Sequence, residues 1–109
     1  MKHIELRDKD LAVLRGTFSR FPSVREVRVF GSRATGDARR ASDLDLAVFA
    51  PDATAEEWAD LCEALESTPI IYELDVVRAE QTSNARLREK IEGEGVTVYP
   101  EEKSSKIKG

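Results

Sequence analysis

A chain of 109 residues has the length of one domain and can close a single modest core. With 35 % charged residues against 40 % apolar, its composition is that of an ordinary soluble protein, so nothing requires the whole chain to be disordered. The 17 basic and 21 acidic residues leave a net charge of −4, the wrong sign for a protein that neutralises many phosphates along a duplex, which argues against nucleic acid as the partner.

The opening MKHIELRDKD carries charges where a secretory signal needs an apolar run, and no stretch of eighteen apolar residues exists. A cytoplasmic protein that does not enter membranes is expected. His3 is the only histidine, so a nucleophilic triad with a histidine base is almost excluded. Leu11, Leu14, Phe18 and Phe21 recur at helical spacing ahead of Pro22, predicting a first helix over residues 8–20. VREVRVF, residues 24–30, alternates and is rich in valine, as a strand ending on Gly31 would be. The following loop is small and basic, with room for one helical turn after Ser32.

LDLAVFA, residues 44–50, reads as a second strand stopped by Pro51 and Asp52. Thr54 and Glu57 have the spacing of a capping box and start a helix that runs to about Glu66. On that helix Trp58, Leu61, Cys62 and Leu65 share one face. The single cysteine therefore reads as core rather than as a reactive thiol, and Trp58 with Leu61 as core or partner surface. IIYELDVV, residues 70–77, is a third strand. Ser83 is the candidate cap of the helix NARLREKIEGEG, with Leu87 and Ile91 facing inward and Gly93 and Gly95 marking its end. VTVY, residues 96–99, adds a short last strand before Pro100. The expected fold is α/β (α+β), a small mixed sheet flanked by helices over residues 1–100, with 101–109 a polar tail.

Chemistry then has to come from the strand ends. Asp43 and Asp45 are two apart, so on a strand both leave the sheet on one face while Leu44, Leu46 and Val48 take the other. Two like charges side by side raise each other's pKa unless a cation lies between them. Oxygen-only ligands without nearby cysteine or histidine favour magnesium, which is held by carboxylates together with substrate phosphates. Asp75 on the third strand completes the cluster if that strand lies beside the second; Glu73 shares its face and is either a further ligand or a solvated edge charge. Gly31 and Ser32, where a strand turns toward a helix start, offer free backbone N–H groups and a hydroxyl to a phosphate. Arg33 follows them directly, whereas Arg39 and Arg40 divide evenly between phosphate contact and solvated loop charge.

The stretch GSRATGDARRASDLD, a Gly-Ser pair, ten residues and Asp-x-Asp, resembles the signature of the nucleotidyltransferase superfamily that includes DNA polymerase β. Within it the chain is most similar to the minimal nucleotidyltransferases, the MntA-like antitoxins. The resemblance covers about Val27 to Val77. It implies the polymerase β-like fold, with Asp43, Asp45 and Asp75 as catalytic residues and ligands of two magnesium ions, and Gly31, Ser32 and Arg33 as the nucleotide-binding residues. It also implies ATP as substrate and transfer of AMP to a tyrosine hydroxyl of a HEPN-domain toxin encoded by a neighbouring gene. The alternative is a non-catalytic module of the same fold that neutralises the toxin by covering its active site. Addition of a nucleotide to a small molecule is a weaker option, because enzymes of that kind carry an extra acceptor domain.

Overall fold

The computed structural model describes residues 6–31 and 43–100. In chain order they form α1 (Asp8–Phe18), β1 (Glu26–Phe30), β2 (Leu44–Phe49), α2 (Ala55–Glu66), β3 (Leu74–Arg78), a short 3-10 turn (Ala79–Gln81), α3 (Ala85–Glu94) and β4 (Val96–Tyr99). The four strands make one mixed sheet in the order β3-β2-β1-β4, with β1 antiparallel to β2 and β4, and β2 parallel to β3. The α+β class expected from the sequence is the class observed.

Alternation along β2 divides the interior in two. Leu44, Leu46 and Val48 are fully buried on one face with Leu14 and Phe18 of α1 and Leu61 and Leu65 of α2. Ala47 points the other way and packs in a second cluster with Phe30, Ala79 and Ile91 of α3. The parallel β2–β3 pair demands a crossover, and α2 is that crossover. Its capping box is formed as expected: the Glu57 N–H donates to Thr54 Oγ1 at 3.0 Å, and the Thr54 N–H donates to the Glu57 carboxylate at 3.0 Å.

Arg78 fixes the turn that leads into α2. Its guanidinium donates to the carbonyls of Ala50 and Ala53 at 2.9 and 2.7 Å, pairs with Glu80 at 2.8 Å and lies 5.3 Å from the Trp58 ring centroid.

Several boundaries differ from the sequence reading. α1 ends at Phe18, because Arg20 and Phe21 turn back onto the carbonyls of Thr17 and Phe18. Val24 closes a turn on Phe21, so β1 begins only at Glu26. Residues 70–73 are not strand, and Ile71 is 72 % exposed: β3 starts at Leu74, where pairing to β2 begins. Asn84, not Ser83, caps α3, its side-chain oxygen accepting from the N–H groups of Arg86 and Leu87 at 3.0 and 3.2 Å. Gly93 lies inside α3, and Gly95 alone ends it, donating to the Ile91 carbonyl before the chain extends into β4. Leu87 and Ile91 do face inward, half-buried and buried respectively.

Cys62 and Trp58 are only half-buried, not core like Leu61 and Leu65. Cys62 borders a cavity of about 320 Å³ together with Leu65, Ile70, Tyr72, Leu74 and Val76. Burial, and secondarily the Glu66 charge, pushes its thiol pKa up, which makes it a poor nucleophile.

Candidate active site

The carboxylates meet at one end of the sheet. β2 and β3 run parallel in a register that sets Asp45 directly beside Asp75, and β1 ends with Phe30 opposite Asp45 on the other side. Asp45 is half-buried, Asp75 is exposed on the outer strand, and Asp43 is exposed one residue before β2 begins. Burial is the largest influence on Asp45 and raises its pKa. The charges of Asp75 and Asp43 raise it further, as does a hydrogen bond with Asp75, while Lys90 of α3 opposes them.

Gly31 closes the site from the end of β1. Its φ of +79° lies in the left-handed region that favours glycine, and a Cβ there would collide with the Asp45 carboxylate. The sequence points to a phosphate beside the Gly31 N–H; the observed close approach is that of the Asp45 carboxylate. Both demands fall on the same small space, since a ligand of Asp45 has to arrive beside Gly31.

The donor set fits a divalent cation. Asp45 and Asp75 would supply oxygen ligands from two rigid strands, and a cation between them would offset the repulsion that raises the Asp45 pKa. Among the described residues, no three carboxylate, histidine or cysteine side chains are drawn together closely enough to hold a metal ion.

Glu73 also stays apart. It precedes β3 and contributes its carbonyl, which accepts the Leu44 N–H at 2.9 Å, while its side chain remains exposed. Ser32, Arg33, Arg39, Arg40 and His3 lie outside the described residues. The cavity beside Cys62 is lined in part by Glu73 but is separate from Asp43, Asp45 and Asp75, because Leu74 and Val76 alternate with Asp75 and point to the opposite face. Lys90 is the neighbour that sequence reasoning missed. Helical periodicity placed Ile91 inward, but nothing in the sequence showed which face of the sheet Ile91 would cover.

Two parallel strands that bring carboxylates together beside the glycine turn of a third define a candidate site for metal-assisted phosphoryl chemistry. The family described as "Polymerase beta, Nucleotidyltransferase" matches residues 12–104, and the chain belongs to that family. No curated protein matches the sequence. Solved structures do share the fold. A toxin–antitoxin complex with AMP-PNP is 20 % identical with a TM-score of 0.69, over 90 % of this chain and 79 % of that one. A mutant MntA–HpeT toxin–antitoxin complex is 21 % identical with a TM-score of 0.64, over 94 % and 80 %. At these identities the likeness is one of fold. Among the described residues, no helix is long and apolar enough to cross a membrane.

Proposed function

We propose that this chain is a magnesium-dependent nucleotidyltransferase that acts in the cytoplasm as an antitoxin, transferring AMP from ATP to a tyrosine hydroxyl of a HEPN-domain toxin. The observation that carries this reading is the direct pairing of Asp45 with Asp75 on parallel strands, against a left-handed Gly31. Family membership supports the reaction class, and the toxin–antitoxin complexes of the same fold support the kind of partner. In this reading, residues 1–100 form the catalytic domain and 101–109 a polar tail.

In the proposed step the phenolic oxygen of the acceptor attacks the α-phosphorus of ATP. The bond from that phosphorus to the α–β bridging oxygen breaks, and pyrophosphate leaves with the electron pair. A phenol has a pKa near 10, so its proton must be drawn off as the bond forms, and Asp75 at the open edge of the sheet is assigned that task. Asp43, Asp45 and Asp75 would hold two magnesium ions, whose chemistry when bound is to stabilise the attacking and leaving oxygens together. Gly31, Ser32 and Arg33 are assigned to the triphosphate.

The test is the intact mass of the toxin partner after incubation with this chain, magnesium and ATP, beside a control carrying Asp43→Asn and Asp45→Asn. A gain of one or more AMP units with the native chain only is the expected result. Tight binding without any gain would instead mean neutralisation by covering.

A further inference from the structure

The carboxylate end of the sheet has a cation beside it that the proposed reaction leaves unused. α3 is docked on the Asp45 face by Ile91, which packs with Phe30 and Ala47. Phe30 is the cross-strand partner of Asp45, and Ala47 follows Asp45 two residues along the same face of β2. Lys90 immediately precedes Ile91 and lies on the flank of α3 opposite Arg88, which places this exposed residue toward the Asp45 end of the sheet. Its positive charge acts on that carboxyl and opposes the two aspartates that raise its pKa. Arg88, two residues back and so about 200° around the helix, borders a small cavity with Phe49, Ala79 and Glu92 instead.

We propose that Lys90 is a polyphosphate-binding residue, a cation held beside the aspartates by α3 that engages the β- and γ-phosphates of the incoming nucleotide. The inference rests on the nucleotidyltransferase reading and adds a residue to it. Once metal ions occupy the carboxylates, the attraction between Asp45 and Lys90 is largely neutralised. The ammonium group, on a flexible four-carbon stem with three donors, is then available to an arriving anion. The α-phosphate has to sit between the carboxylates and the acceptor, so a cation at their side meets the rest of the chain of phosphates. A charge placed there also favours departure of pyrophosphate, where negative charge collects as the bond breaks.

The test compares binding of α,β-methylene-ATP, whose scissile bridge is a carbon, with binding of AMP, both with magnesium and by calorimetry. Native protein, Lys90→Gln, Lys90→Arg and Arg88→Gln are measured side by side. Loss of one charge-assisted contact weakens the triphosphate analogue about tenfold in Lys90→Gln. AMP binding stays within about twofold, Lys90→Arg recovers most of the loss, and Arg88→Gln, the same change of charge on the same helix, behaves as native. A purely structural role for Lys90 would weaken both ligands alike. An unchanged preference for the triphosphate in Lys90→Gln, with the native protein binding it, overturns this inference alone. Failure of the native protein to bind the analogue overturns the nucleotide reading, and this inference with it.

Discussion

The two faces of the sheet do different work with the same strands. On the α1/α2 face, Leu44, Leu46 and Val48 of β2 are wholly buried among Leu14, Phe18, Leu61 and Leu65. On the α3 face only Ala47 of β2 is fully buried; Phe49 is half-covered, and Asp45 stands at the open end among other acids. One face stores stability in apolar contact, and the other gives some of it up to keep carboxylates together. The site can hold strained groups because the opposite face of the same strands is closely packed.

Cutting into the packed face breaks the comparison most severely. Leu46→Ala removes a fully buried side chain and is expected to cost about 2–5 kcal/mol, read as a lowered midpoint of urea unfolding. Gly31→Ala acts on the open face. A left-handed φ costs a residue with a Cβ about 1–2 kcal/mol, and the added methyl group meets the Asp45 carboxylate besides. Combining it with Asp45→Ala should recover the part due to collision and leave the backbone part, so a double-mutant cycle separates the two.

Asp45→Asn should change stability in the opposite direction. The Asp45 pKa is raised in the folded protein, first by burial and then by Asp75 and Asp43, so native protein binds more protons than unfolded protein above the ordinary carboxylate range. The Asp45 contribution to the stability of the metal-free protein is therefore full below about pH 4 and is lost as pH rises through the folded pKa of Asp45, whereas Glu26, held despite burial below its ordinary range beside Arg28 and Thr97, contributes in the opposite sense at acid pH. The asparagine variant should lack that decline and be the more stable protein at neutral pH. Urea titrations of both proteins across pH without magnesium check this, and a stability difference between variant and native protein that does not grow as pH rises would contradict it. Thr54→Ala is the smallest change, expected to cost about 1 kcal/mol with no effect on nucleotide binding, because the capping box it breaks belongs to α2 on the packed face.

Much of this was legible in sequence because it depends on near neighbours. The Thr54–Glu57 box, the burial of Leu44, Leu46 and Val48, and the inward set of Leu87 and Ile91 follow from spacing along one element. The third strand starts later than the sequence suggests because Ile70 and Ile71 are β-branched and Tyr72 is aromatic, all strand-favouring, whereas a strand begins where a partner is present, here at Leu74 beside Leu44. Cys62 was misread for a related reason. Helical phase put it near Leu61 and Leu65, but whether a flank of that face is covered depends on what packs there, and residues 68–73 leave a cavity.

By itself, the sequence determined the class of fold and the candidate carboxylates, because periodicity and the Gly-Ser, ten-residue, Asp-x-Asp spacing are properties of one continuous segment. Only the tertiary structure decided that Asp75 lies beside Asp45, that Gly31 is pressed against that same carboxylate, and that the helix bearing Lys90 covers their face of the sheet. Each of these is a contact between elements, set by strand order and by which face a helix covers, and a repeat pattern within one element carries no record of either.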